Sequence, residues 1–392
     1  MNAPQNFGLL NDVLHDVAAD LDVPASKYEE AKQHYDAVGE WLGSSDSALA
    51  RFQPVIYPQG SFALGTAVRP LGDDDYDVDA VCLLQMTQDQ VTQQDLKQLV
   101  GDRLAHPSSR YKAMLDPKEG GRRCWTIKYA DGSKFHLDVL PAIPDPVGIP
   151  EIDPVMAKDA ILITCKDTWD DSECVWPRSN PKGYVTWFKE RMATRLMEAK
   201  RVLAMEAHAE VEEIEDFRVR TPLQRLIQLF KRHRDQRYNG DEDKPISIII
   251  TTLAATAYDN EADLADAILN VVPRMRALVK QRDDGVWWIP NPVNPHENFA
   301  DKWDDNPRKA QLFFEWLDAV ESEHRFLLTN ASVGMESMLT EAYGERAVRG
   351  ALAKNASRFA KPSAPTILVP KKTGVAMPVT TLAAGSSKPW SE

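Results

Sequence analysis

Apolar residues recur at helical spacing through residues 26–42, where Tyr28, Ala31, Tyr35, Val38 and Leu42 fall on one face. Ser26 and Glu29 at the head of that run have the spacing of a capping box. Pro54 to Tyr57 then reads as a short strand leading into Gly60-Ser61, and Phe62 to Val68 as a brief helix stopped by Pro70. Residues 77–84, DVDAVCLL, read as a strand, and the polar stretch from Gln88 to Leu104 as a helix. Two alternating runs follow, Arg123 to Ala130 and Lys134 to Leu140, separated by Asp131-Gly132. That combination predicts a hairpin with a two-residue turn. Residues 141–181, rich in Pro, Trp and Asp, read as a connecting region.

Beyond Gly183 the period lengthens. Helical patterns run over 184–217, 221–238, 261–280, 307–328 and 335–354, which sets a lobe boundary near 181. The expected organisation is a sheet-containing lobe with an N-terminal helix over 1–180, a helical lobe over 181–360, and a tail over 361–392. The tail is rich in Pro, Ser, Thr, Ala and Lys and has no helical period, so it reads as disordered or peptide-like. Within the helical lobe, Thr221 and Gln224 form a capping box with Pro222 at the first turn. Leu223 and Ile227 make an apolar stripe that carries Lys231 one turn later, a pattern that a lysine snorkelling from a core edge also satisfies. The basic run Lys231-Arg232-His233-Arg234 is expected to be partly solvated. Pro245 to Thr252 is so β-branched that pattern alone predicts a strand.

Composition narrows the class. With 43% hydrophobic and 27% charged residues over 392 positions, the chain is an ordinary globular protein of one or two domains. Its apolar runs fall far short of the ~20 residues that cross a bilayer. The start, MNAPQNFGLLNDV, lacks the basic and apolar regions of a secretion signal. Cys82, Cys124, Cys165 and Cys174 make no C-x-x-C pair and read as reduced thiols of a cytoplasmic protein, which argues against a structural zinc. A net charge of −13, from 59 acidic against 46 basic residues, argues against extensive wrapping of a nucleic acid. It leaves room for a local basic pocket that binds nucleotides.

Asp77 and Asp79 stand two apart on a predicted strand, so both carboxylates leave one face about 6.5 Å apart along the backbone. On the later strand Phe135, Leu137 and Val139 form the apolar face and Asp138 points the other way, able to complete a three-carboxylate cluster if the strands pair. Hard oxygen ligands of this kind suit Mg²⁺ or Mn²⁺, and two ions about 3.5–4 Å apart are the requirement of two-metal phosphoryl transfer. An Asp-x-Asp alone in so acidic a chain is better explained by a solvated edge or turn. The run Asp73-Asp74-Asp75 also permits the register Asp75/Asp77, and Asp77/Asp79 is preferred because the apolar strand continues directly from it. Gly60-Ser61 at a strand-to-helix turn adds a backbone that can approach a phosphate closely, with a hydroxyl and free N–H groups. Ser61 also suits a plain helix cap. The combination is what is specific.

QGSFALGTAVRPLGDDDYDVD, followed by KFHLDVLPAIP, resembles the signature of the polymerase β nucleotidyltransferase superfamily, and within it the bacterial cGAS/DncV-like nucleotidyltransferases (CD-NTases). The resemblance spans about residues 20–355. It implies an α+β fold, with a mixed-sheet nucleotidyltransferase core, a C-terminal helical lobe like that of oligoadenylate synthase, and the active site between them. It implies that Asp77, Asp79 and Asp138 bind two Mg²⁺ ions, with Mn²⁺ a possible substitute. Gly60, Ser61, Lys231 and Ser247 would hold the donor triphosphate, and Pro245 to Thr252 would be helical. NPVNPHENF (291–299) resembles a loop that ends the helical lobe in relatives, and is taken as a brace. The activity implied is cyclic di- or trinucleotide synthesis from NTPs, ATP among them and the second base left open, in bacterial antiphage (CBASS) signalling. The alternatives are a template-independent RNA-end nucleotidyltransferase, or a catalytically silent nucleotide-sensing scaffold of the same fold. Some relatives are encoded with HORMA-type partners that clasp an extended peptide, a role for which the tail is a candidate. No membrane partner is expected.

Overall fold

The computed structural model describes residues 3–72, 74–129, 134–169, 175–207, 210–213, 219–330 and 334–360. One lobe is built on a six-stranded mixed sheet of β1 (Val55–Gln59), β2 (Tyr76–Leu83), β3 (Trp125–Tyr129), β4 (Phe135–Pro144), β5 (Ile161–Ile163) and β6 (Arg178–Ser179). The order is β1-β2-β4-β5-β6, with β3 on the other edge of β4 from β2. Only the β2–β4 pair is parallel. Around the sheet lie α2 (Ala25–Gly43), α3 (Gly60–Leu64), α4 (Gln93–Leu104) and α5 (Pro154–Ala157), while the N-terminal α1 (Ala3–Leu21) packs on the other lobe. The second lobe holds α6 (Pro181–Arg191), α7 (Ala193–Ala207), α8 (Pro222–Arg237), α9 (Ser247–Ala257), α10 (Leu264–Leu278), α11 (Pro307–Thr329), α12 (Met335–Tyr343) and α13 (Glu345–Ala360). Two small hairpins complete it, β7 (Lys280–Gln281) with β8 (Trp287–Trp288), and β9 (Pro290–Asn291) with β10 (Asn294–Asn298).

Alternation along the strands separates a core face from a site face. Val78, Ala80 and Cys82 of β2 and Phe135, Leu137 and Val139 of β4 are buried with Ala31, Val38 and Leu42 of α2 and with α4. Asp77, Asp79 and Asp138 therefore leave the opposite face. The helix expected over 26–42 is present. Its cap is not: α2 begins at Ala25 with Pro24 as N-cap and no side-chain cap bond, so Ser26 already lies inside the helix. The brief helix also sits earlier than expected, beginning at Gly60 and ending at Gly65, whose φ of +65° terminates it.

The region 141–181 is more than a connection, since it supplies the end of β4 together with β5 and β6. Pro141 fits inside β4 because Thr164 N–H bonds to its carbonyl, so its missing N–H faces the gap between β3 and β5. Strands of three and two residues are too short to show an alternating pattern. The pattern expected over 184–217 breaks at Met192, and that over 335–354 breaks at Gly344, which takes φ +91°.

The capping box of α8 is present, with Thr221 accepting from Gln224 N–H and Gln224 accepting from Thr221 N–H. The β-branched stretch from Ser247 is a helix, as the family resemblance implied and against the strand reading. It is buried against α8 and α10, and that packing overrides its β preference.

Residues 1–180 do not all lie with the sheet. Leu10, Val13, Leu14, Val17, Ala18 and Leu21 of α1 are fully buried, and α1 packs on α8, α10, α11 and α13 of the helical lobe. Among the described residues no helix is long and apolar enough to cross a membrane. Cys82, Cys124 and Cys165 are free thiols. Cys174 and the tail 361–392 lie outside the described residues.

Candidate active site in the interlobe cleft

Gly60, Ser61, Asp77, Asp79, Asp138, Lys231 and Ser247 all line one cleft of about 910 Å³ between the lobes. Strand register explains the carboxylates. The parallel pairing of β2 and β4 sets Asp79 opposite Asp138 and Asp77 opposite His136, on strands about 4.8 Å apart. Thr126 of β3 stands opposite Asp138 on its other side and donates its hydroxyl to Asp138 Oδ1 at 2.5 Å. The expected turn Asp131-Gly132 lies outside the described residues. Tyr129 opposite Phe135 is the register for an odd number of intervening residues, and this register, not that of a two-residue turn, brings Thr126 to Asp138.

His136 sits between carboxylates, with Nε2 2.8 Å from Asp75 Oδ2 and Nδ1 3.6 Å from Asp77 Oδ1. Asp75, the competing candidate for the strand pair, thus precedes β2 and is engaged by His136. Asp77 and Asp79 are the pair carried by β2 itself.

Gly60 takes φ +60°, and α3 begins there against Asp79. The backbone after α3 is gripped by α8. Gln224 Nε2 donates to Leu64 O at 2.9 Å, Gln228 Nε2 to Ala67 O at 2.9 Å, and Lys231 Nζ to Thr66 O at 3.1 Å. Arg232 donates to Arg69 O. These residues recur every three or four positions, so one stripe of α8 presents donors to successive carbonyls. The run Lys231 to Arg234 is not a solvated face: all four side chains are buried. Arg232 is taken up by Arg69 O, His233 by Glu323 at 2.9 Å, and Arg234 by Pro245 O at 2.7 Å and Ser247 Oγ at 3.2 Å. Arg234 thereby fixes the start of α9 beside the cleft. Neither Thr126 nor Arg234 was marked by the sequence, although the i,i+3 spacing of Lys231 and Arg234 places them on neighbouring turns of one helix face.

The site is electrostatically unfinished. Burial, with Asp138 and Asp77 close by, pushes the Asp79 carboxyl up to about 6, against the pull of Lys231. Asp77 is raised as well, first by withdrawal from bulk water within the cleft and then by Asp138, while His136 opposes. Its side chain is 87% exposed, so this desolvation is partial and its effect is weaker than at Asp79. Burial and Arg234 bring Lys231 down to about 7, against Asp235 and Asp79. Among the described residues no three His, Cys, Asp or Glu side chains close around a point as a complete ion site. The donor set nevertheless fits Mg²⁺, which takes a few carboxylate oxygens and completes its octahedron with water and phosphate oxygens. The repulsion at Asp79 is relieved by such a charge.

A mixed sheet with Asp-x-Asp on one strand, a third Asp on its parallel neighbour, Gly-Ser at a helix start and a helical lobe across the cleft is the arrangement expected of a polymerase β-type nucleotidyltransferase. Residues 54–141 match the family described as cyclic GMP-AMP synthase DncV-like, nucleotidyltransferase domain. The chain is 29% identical over 332 residues to a c-di-GMP synthase of Roseivirga ehrenbergii, covering 84% of this chain and 82% of the relative. Its fold is that of the CD-NTase CdnG of Bradyrhizobium diazoefficiens, solved in complex with GTP, with a TM-score of 0.66 at 22% identity over 87% of this chain and 97% of that one. It also matches CdnC of E. coli MS115-1, solved in a complex with a HORMA protein, with a TM-score of 0.59 at 14% identity over 85% and 96%. The chain is thus similar in sequence and fold to bacterial CD-NTases, with the family match lying in its sheet lobe.

Proposed function

We propose that the protein joins nucleoside triphosphates into a cyclic di- or trinucleotide by metal-dependent nucleotidyl transfer. The observation that carries this reading is the β2–β4 register, which sets Asp79 beside Asp138 in the same cleft as Gly60, Ser61, Lys231 and Ser247. Asp77, Asp79 and Asp138 would hold Mg²⁺, or Mn²⁺ in its place, and the metal would neutralise phosphate charge and ease deprotonation of the acceptor hydroxyl. Gly60 lets the backbone approach the triphosphate, and Ser61 and Ser247 offer hydroxyls to it. Lys231 supplies a buried positive charge, with Arg234 steadying Ser247 from behind. The acceptor 2′- or 3′-hydroxyl forms a new ester bond to the α-phosphorus, the α–β anhydride bond breaks and pyrophosphate leaves. A second transfer closes the ring. Positioning the reacting groups in one cleft and stabilising the charge that develops there account for most of the rate in such reactions.

The names of the curated relatives support a cyclic dinucleotide as the product. With that product, a role in CBASS-type antiphage signalling follows as part of the proposal. So does a regulatory partner of HORMA type for the tail 361–392. The test is incubation with α-labelled NTPs and Mg²⁺, with and without an RNA primer. A phosphatase-resistant short product made without primer is expected. Linear polymer that grows only on added RNA, or no joining at all, would overturn the reading in favour of the RNA-end enzyme or the silent scaffold. Loss of activation by neighbouring gene products on deleting 361–392, with basal synthesis kept, is the outcome expected for the tail.

A further inference from the structure

A second cavity of about 230 Å³ opens beside Asp79. It shares Gly60, Leu64, Asp79 and Ile248 with the main cleft and contains neither Lys231 nor Ser247, so it extends the site beyond those two side chains. Two of its walls are aromatic, Tyr184 from α6 and Phe299 following β10. The Tyr184 hydroxyl is bonded to Thr252 Oγ1 at 2.7 Å, which ties the ring in place. Its polar groups include Asn291 and Glu297, from the two strands of the β9–β10 hairpin.

These two side chains are arranged relative to each other. Asn291 is 5% exposed; its Oδ1 accepts from Val293 N–H at 3.0 Å, and its Nδ2 donates to Glu297 Oε2 at 2.8 Å. The backbone bond fixes the amide orientation, and the amide fixes the carboxylate. The hairpin is itself anchored to the sheet lobe, since Asn294 Nδ2 donates to Arg178 O of β6 at 3.3 Å. The brace expected of NPVNPHENF is therefore also the carrier of an oriented carboxylate a short way from the reacting centre.

Flat aromatic walls suit a nucleobase, and the polar groups select which one. Burial raises the Glu297 carboxyl, while the Asn291 amide and Arg123 favour its charged form, and in that form it only accepts hydrogen bonds. On their Watson–Crick edges adenine and cytosine set an amino donor next to a ring-nitrogen acceptor, and uracil flanks one N–H with two carbonyls. Guanine alone presents two adjacent donors, N1–H and the 2-amino group. A carboxylate pairs with both of these and leaves the other bases with an acceptor facing an acceptor, the kind of mismatch that discriminates strongly.

We propose that Glu297, oriented by Asn291, reads the Watson–Crick edge of guanine in this cavity and selects a guanine nucleotide for the transfer reaction. The inference rests on the nucleotidyl-transfer reading of the cleft, and it identifies the base that reading leaves open. Its test is direct binding by the full chain, with Mg²⁺, of α,β-methylene analogues of GTP, ITP and ATP. Inosine keeps N1–H and lacks the 2-amino group. The wild type should bind the GTP analogue about tenfold tighter than the ITP analogue and tighter still than the ATP analogue, the scale of one charge-assisted hydrogen bond. Glu297→Gln should collapse the GTP-to-ITP ratio to about one while leaving ATP-analogue binding within about twofold, a pattern that general damage to the fold does not produce. Equal wild-type affinity for the GTP and ITP analogues overturns the proposal, and this comparison holds even if the variant fails to fold. An unchanged ratio in folded Glu297→Gln overturns it too. A chain that joins labelled nucleotides without guanine preference sinks this inference alone. Guanine read through Glu297 with no joining sinks the proposed reaction alone.

Discussion

A β-carbon on Gly60 would overlap Oδ2 of Asp79. Gly60 also takes φ +60°, a conformation that L side chains rarely adopt. Two independent constraints thus require glycine where the phosphate-approaching turn meets a carboxylate. Gly60→Ala is predicted to cost about 1–2 kcal/mol of stability and to lower kcat/KM by at least tenfold, because any relief of the clash moves Asp79. Thermal melting with steady-state kinetics checks this. A destabilised variant with normal turnover would show that the Gly60–Asp79 contact is structural only.

Asp77→Asn, Asp79→Asn and Asp138→Asn are each predicted to abolish nucleotide joining while leaving the melting temperature close to normal, since each removes one oxygen ligand from a shared clamp. Asp75→Asn should be milder, because Asp75 engages His136 and precedes β2. The reverse order, with Asp75→Asn dead and Asp79→Asn active, would place the metal pair two residues earlier than proposed here.

Burial and Arg234 bring Lys231 down to about 7, so its protonation is open to change near neutral pH. A triphosphate beside it favours the charged form, so NTP binding is predicted to draw a proton onto Lys231 at that pH. Calorimetry in two buffers of different ionisation enthalpy reads this uptake directly. Lys231→Ala should remove most of it and reduce kcat/KM about tenfold or more. Uptake that persists in Lys231→Ala would assign the proton to another group.

His324 gives a pH-dependent stability. Its Nδ1 faces Val320 O and its Nε2 faces Tyr343 Oη, each at 2.7 Å, an arrangement that suits the neutral ring with the proton on Nδ1. Burial, helped by His233, brings its pKa down from 6.5 to about 4. The unfolded chain therefore binds a proton near pH 6.5 that the folded chain refuses until about pH 4. Stability from this residue is full above pH 6.5 and is lost as the pH falls towards 4, by up to about 3 kcal/mol. Urea midpoints between pH 7 and 4.5 should fall less steeply for His324→Gln than for the wild type. Parallel slopes would rule out His324 as the source.

Most of the site was legible because its parts are short and local. Asp77 and Asp79 reveal their shared face by alternation, and Gly60-Ser61 marks a turn. Pairing was harder to read. The register that seats Thr126 on Asp138 depends on one residue in a hairpin loop, which the Asp-Gly signal counted as two rather than an odd number. Very short strands such as β5 and β6 give too few residues for a period to emerge. The burial of Arg232 and Arg234 depends on carbonyls at Arg69 and Pro245, acceptors that no side-chain pattern advertises. The helical fate of Ser247 to Ala257 is set by the neighbours that bury it. The missed helix α1 is of another kind, since Leu10, Val13, Leu14, Val17, Ala18 and Leu21 repeat at helical spacing in plain view.

The placement of α1 bears on how the chain is made. A ribosome releases α1 before the sheet lobe, and its partners α8 and α13 emerge only after that lobe has been synthesised. The sheet lobe is thus an insertion within a helical body whose two parts flank it in the chain. During synthesis the apolar face of α1 must wait, uncovered, while the inserted lobe folds beneath it. Slowed elongation through residues 22–180 would lengthen that wait and expose nascent chains to aggregation or chaperone capture before the first helix reaches its seat.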